Sequence, residues 1–198
     1  MNIGIIGTAG RKEDAPLINP TLYSQMVDVV LKLVVLQDKV LSNHPDPITL
    51  VSGGAAVADH IAVQLALAEP KYKLKLHLPA SFVIAQKQYA CVPNNIFAPA
   101  NVANYYHRNF SKSCQINSLE ELARIIEAGA DVVVTPGFKQ RNTQVAQDSD
   151  MLIALTFGKG PVLKVGGTLD TFNKFISLKP KAPAYHIDLH TMQLFKIQ

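Results

Sequence analysis

The sequence predicts a three-layer α/β domain, a mostly parallel sheet with helices on both faces. Three observations predict it. Apolar runs of strand length at residues 3–6, 48–52 and 151–156 lack polar alternation, as strands covered on both faces do. Segments of helical periodicity separate the strands in a β-α-β-α-β order, and right-handed crossovers turn that order into a parallel sheet. Small, flexible residues follow the ends of three of the strands. With 198 residues, 48% hydrophobic and 17% charged, the chain suits a single domain over 1–198 with one sizeable core.

The elements follow in order. Residues 3–6 form the first strand. Asn19-Pro20 then opens a helix, Asn as cap and Pro in the first turn. Leu22, Met26, Val29, Val30, Leu33, Leu36 and Val40 recur at helical spacing, and His44-Pro45 stops the helix. Residues 48–52 are the second strand, and Gly53-Gly54 turns directly into an Ala-rich helix reaching about residue 68. Residues 73–78 alternate as a strand with one wet face. No periodicity appears in residues 79–117, where Pro93-Asn94-Asn95 and Pro99-Ala100-Asn101 read as turns. Ser118-Leu119-Glu120-Glu121 reads as a capping box that opens a helix ending at Gly129. A strand at 132–135, a helix at 140–147, the strand at 151–156 and a helix at 167–178 follow. Strands at 185–189 and 192–197 close the chain.

Composition excludes several classes. No run approaches the roughly 18 apolar residues of a membrane span. Met1 leads directly into Ile3-Gly4-Ile5-Ile6 without a basic segment, so a secretory leader is not expected. Cys91 and Cys114 form neither a metal spacing nor a disulfide framework, which suits reduced thiols in a cytoplasmic protein. His60, His77, His186 and His190 have no carboxylate or Cys at ligand spacing, and no metal site or cofactor is expected. The net charge of +4 is scattered, without a Lys/Arg block or interleaved aromatics. Nucleic acid is therefore a disfavoured partner beside a small anionic ligand.

The chemistry-bearing signal lies in the glycine turns. Gly7-Thr8-Ala9-Gly10-Arg11 follows the first strand and Ser52-Gly53-Gly54-Ala55 the second. Gly158-Lys159-Gly160 and Gly166-Gly167-Thr168 follow the strand at 151–156. Ligands bind outside the carboxyl ends of parallel strands, where glycine lets backbone N–H groups approach a phosphate at a helix start. The dinucleotide fingerprint and the Walker lysine motif are both absent, which demotes NAD dehydrogenases and P-loop NTPases.

Ser52-Gly53-Gly54-Ala55 leading to Asp59 resembles the "SGGARGAD" turn of the SLOG superfamily. That group includes Lonely-guy nucleotide phosphoribohydrolases, DNA-processing protein A and the small YspA-like Rossmannoid proteins. Arg141-Asn142, Ala146 and Ser149-Asp150-Met151-Leu152-Ile153-Ala154 resemble its "R-N/K…ADxxIA" helix and strand. Gly166-Gly167-Thr168-Leu169-Asp170 resembles its "GGxGTxxE" phosphate turn. The match covers residues 1–68 and 138–178. An atypical insert at about 79–137 is left to carry ligand specificity.

The resemblance implies a Rossmannoid fold, homo-oligomers, and a nucleotide or nucleotide-derived ligand, with hydrolysis or transfer at its N-glycosidic bond. Non-catalytic nucleotide sensing or sequestration is the alternative, and single-stranded DNA binding a weaker one. The family's acidic residue falls on Thr171, and the carboxylate sits one earlier, at Asp170. One residue at a helix start rotates a side chain by about 100°. Asp170 is nonetheless the expected catalytic group. Gly7, Thr8, Gly10, Arg11, Ser52, Gly53, Gly54, Arg141, Asn142, Gly166, Gly167 and Thr168 are the expected ligand and phosphate contacts. Arg141 is expected to be a free clamp of little weight in the fold. Asp59 is expected either to fix its own turn or to touch the ligand. In the insert, His107 and Arg108, behind Tyr105 and Tyr106, are candidates for base or ribose contact.

Overall fold

A computed structural model of the chain describes residues 1–40 and 47–198. The expected helix stop at His44-Pro45 lies outside the described residues. The strands are β1 (Asn2–Gly7), β2 (Thr49–Ser52), β3 (Lys73–Leu78), β4 (Phe82–Val83), β5 (Gln88–Tyr89), β6 (Asp131–Val134), β7 (Met151–Thr156), β8 (Ala184–Asp188) and β9 (Gln193–Lys196). The helices are α1 (Pro20–Val40), α2 (Ile61–Ala68), α3 (Pro99–Cys114), α4 (Ser118–Glu127), α5 (Phe138–Asp148) and α6 (Gly167–Leu178). Seven strands form one sheet in the order β6-β3-β2-β1-β7-β8-β9. All its pairs are parallel except β8–β9.

Strand alternation builds the three layers. Ile3 and Ile5 of β1 and Met151, Ile153 and Leu155 of β7 point to one face, where they pack with Met26 and Val30 of α1, Ile61 of α2, Phe110 of α3 and Leu122 of α4. Ile6, Leu152 and Ala154 point the other way, onto Val145 and Ala146 of α5 and Phe172 and Phe175 of α6. The fold is therefore a three-layer Rossmann-like α/β fold. The cap of α1 forms as expected, with Leu22 N donating to Asn19 Oδ1 at 3.0 Å.

Three local expectations are corrected. The insert is not structureless: it holds the β4–β5 hairpin and the 16-residue helix α3, with Pro99 at the helix start rather than in a turn. Its apolar spacing is thin because α3 buries polar side chains, Asn104 and His107 among them. Asn117, not Ser118, caps α4, accepting from Glu120 N at 3.3 Å. Ser118 is buried against His107 and Ser111, and Glu121 reaches His60 and Gln64. Finally, Gly53-Gly54 does not run directly into a helix. A turn over residues 56–60 precedes α2 and holds Val57 at φ 64°, a strained conformation for a β-branched residue.

Candidate functional site

Because β2, β1 and β7 are adjacent and parallel, the turns after them gather at one sheet edge. A cavity of about 380 Å³ opens there. Its walls are the β1 turn (Gly7, Thr8, Ala9, Arg11), the following 3-10 turn (Lys12, Glu13, Asp14), Asp59, α5 (Phe138, Arg141, Asn142), Thr156, and the stretch Lys164 to Thr168 with Thr171.

The β1 turn is built by hydrogen bonds. Gly7 N donates to Asp59 Oδ1 at 3.1 Å, Thr8 N to the Leu155 carbonyl at 2.9 Å, and Ala58 N to the Thr8 carbonyl at 3.2 Å. The Thr8 hydroxyl donates to Asp14 Oδ2 at 2.8 Å and accepts from Gly10 N at 3.1 Å. A side chain at Gly7 would collide with the Leu155 carbonyl and the Ala58 methyl, so the close approach of the turn requires glycine.

Arg141 is buried, and its Nη1 donates to Asp59 Oδ2 at 3.0 Å. Burial pushes the Asp59 carboxyl above its ordinary range, opposed by the Arg141 guanidinium and the Gly7 N–H. This corrects the view of Arg141 as a free clamp of little structural weight. It joins α5 to the turn after β2, lying so close over Gly53 that any side chain there would overlap it. Yet its capacity is not used up: Nε is buried without an acceptor among the described residues. Asp59 fixes the turn, one of its two expected roles, and also lines the cavity.

The loop after β7 crosses the mouth. Lys164 Nζ donates to Asp14 Oδ1 at 2.6 Å and pairs with Glu13 Oε1 at 2.8 Å. Its hydrogen bond to Asp14 raises the Lys164 pKa, and its hydrogen bond to Glu13 lowers that of Glu13. Beneath the loop, Thr156 Oγ1 accepts from Gly158 N and Lys164 N. His186 Nδ1 donates to the Gly160 carbonyl at 2.7 Å, which leaves Nε2 to accept from the Thr156 hydroxyl at 2.8 Å. Burial lowers the His186 pKa, in keeping with that neutral tautomer. The loop delivers Gly166, Gly167 and Thr168 to the cavity at the positive end of α6.

Several expected site residues are elsewhere. Asp170 does not line the cavity; its carboxylate is held by Lys174 at 2.8 Å and Asn142 at 3.2 Å, and the Lys174 bond lowers its pKa. Thr171, one residue on, faces the cavity, as the 100° rotation requires. His107 is fully buried, donating from Nε2 to the Gly54 carbonyl at 3.0 Å, and burial drives its pKa down to about 3. It is a core residue. Arg108 is exposed and bonds Gln88, away from the cavity. Ser52 is spent on the Asp59 carbonyl and Gly54 N, while Gly53 and Gly54 line a smaller cleft next door. Gly10 shapes the β1 turn at φ 68° without lining the cavity.

The residues missed in the sequence are Glu13, Asp14, Phe138, Thr156 and Lys164. Asp14 and Lys164 lie 150 positions apart, so neither carried a local signal. Among the described residues, no group of three His, Cys, Asp or Glu side chains is placed to hold a metal ion, and no helix is long and apolar enough to cross a membrane.

No protein-family model matches the chain, and no solved structure matches it. Over 179 residues it is 35% identical to an uncharacterized protein of Acanthamoeba polyphaga mimivirus, an alignment spanning 88% of this chain and 90% of the viral one. Similarity of that extent shows common descent over nearly the whole domain, and the chain belongs to the same family as this mimivirus protein.

Proposed function

We propose that the protein binds a nucleotide or a nucleotide-derived small molecule in the cavity at the β1–β7 edge, in the manner of the SLOG proteins its motifs resemble. One observation carries the reading. The start of α6, the β1 glycine turn and four cationic residues, Arg11, Lys12, Arg141 and Lys164, line one cavity, and the buried Arg141 Nε has no acceptor among the described residues. A phosphoryl group at the start of α6 supplies acceptors to the backbone N–H groups there and countercharge for these cations.

Hydrolysis or transfer at the N-glycosidic bond is a second reading, and Asp14 is the observation that favours it. Such chemistry needs a carboxylate beside the ribose to stabilise oxocarbenium-like charge. Asp14 is buried and borders the cavity, held there by Thr8 and Lys164, whereas Asp170 points away. The sensing reading keeps the same binding wall and needs no acid.

The test is a panel of nucleoside monophosphates, NAD, ADP-ribose and inorganic phosphate, followed by thermal shift and by chromatography for free base. A thermal shift without product supports sensing. Base release that Asp14→Asn abolishes and Asp170→Asn spares supports turnover. No shift with any member of the panel overturns the proposal.

A further inference from the structure

Beside Arg11, the cavity adjoins a separate, narrow cleft of about 20 Å³ between the turn after β2 and helix α3, the two sharing Arg11, Phe138 and Arg141 in their walls. The floor of the cleft is small and apolar, with Gly54, Ala56, Val102 and Ala103. Tyr106 and Phe138 stand at its mouth. Between them lies the guanidinium of Arg11, its central carbon 4.9 Å from the Tyr106 ring centroid and 5.6 Å from that of Phe138. The Arg11 side chain makes no hydrogen bond or ion pair among the described residues, so the two rings alone hold this planar cation.

The two ends of the site therefore differ in kind. The end at Lys164 to Thr168 offers charge and backbone N–H groups; the end at α3 offers two aromatic faces and an apolar floor. We infer that Phe138 and Tyr106 form the base-binding end of the site, stacking the planar ring of a nucleotide whose phosphoryl group lies at the start of α6. The inference rests on the nucleotide reading above. A base entering the slot takes the space of the guanidinium, and Arg11, retained by no directional bond, turns its donors to the phosphoryl group. Among the described residues, no carboxylate or amide side chain borders the cleft, and Tyr106, Arg11 and Arg141 are its only polar side chains, so few groups are placed to read base edges. Selection is then by stacking area, purine over pyrimidine, and by the presence of a base at all.

Calorimetric titration with adenosine 5′-monophosphate, cytidine 5′-monophosphate, ribose 5-phosphate and inorganic phosphate tests this. The purine nucleotide should bind about tenfold or more tighter than ribose 5-phosphate, the usual scale of base–aromatic stacking. Phe138→Leu, which keeps the apolar packing and removes the aromatic face, should erase most of that ratio, weakening the purine nucleotide far more than ribose 5-phosphate. Phe138→Tyr should restore it, and Tyr106→Leu should reduce it. The inference is overturned if wild type binds ribose 5-phosphate as tightly as the purine nucleotide, or if Phe138→Leu weakens both ligands equally. Either result leaves phosphate binding standing. Failure of all four ligands to bind overturns the nucleotide reading itself, and this inference with it.

Discussion

Replacing Arg141 by Ala tests how the site is joined to the fold. The Arg141 side chain is 10% exposed and its partner Asp59 is 4% exposed, so the pair is shielded from water on both sides. Removing one partner of a buried pair costs about 3–5 kcal/mol, because a charge is left without compensation. Two features place Arg141→Ala near the lower figure. Asp59 keeps its bond from Gly7 N, and its raised pKa lets it take up a proton once the guanidinium is gone. A loss of about 3 kcal/mol in a domain of this size lowers the melting temperature by about 6–12 °C. The exposed pair between Lys71 and Asp38, at 55% and 37%, is the internal control. There, Lys71→Ala should leave the stability nearly unchanged. Urea unfolding followed by circular dichroism measures both. A loss below about 1 kcal/mol for Arg141→Ala would refute the structural role assigned to the pair, and any change in ligand binding would then report on direct contact alone.

Two further predictions concern the same edge of the sheet. With a folded pKa of about 3 against the ordinary 6.5, His107 binds its proton in the unfolded chain first, so stability falls as pH falls through that window. The loss at pH 5 relative to pH 7.5 should be on the order of 2 kcal/mol from this residue alone. His77 and His186 are lowered in the same direction by burial. Urea midpoints across that range check the slope, which His107→Gln should flatten. Gly53→Ala should cost about 1–3 kcal/mol by forcing the Arg141 guanidinium aside. In an Arg141→Ala background the same substitution should cost much less, and a double-mutant cycle by thermal unfolding reads the difference.

Much of the fold was legible in the chain because it depends on short-range pattern. Apolar runs without alternation, such as Met151–Thr156, became strands covered on both faces, and the spacing from Leu22 onward became α1. The gathering of glycine turns at one edge also followed from the sequence, since parallel strands with right-handed crossovers leave those turns little choice. Helix α3 escaped notice because its buried face carries Asn104 and His107, which satisfy backbone groups of Tyr89 and Gly54 far away in the chain. That is a tertiary use of polar residues, and no periodicity announces it.

The site divides along the same line. Residue type and local order singled out Gly7, Thr8, Arg11, Asn142 and Gly166-Gly167-Thr168, which the structure brings to the wall of one cavity. Only the packed structure decided how the charges are paired. Asp59 claims Arg141 across 82 positions, Lys164 closes on Asp14 across 150, and one residue of helix rotation turns Asp170 out of the cavity while Thr171 turns in. Glycines, caps and apolar runs act through bonds to near neighbours, which a sequence displays. Ion pairs and burial depend on which distant segments the sheet order brings together, and that is settled only when the chain has folded.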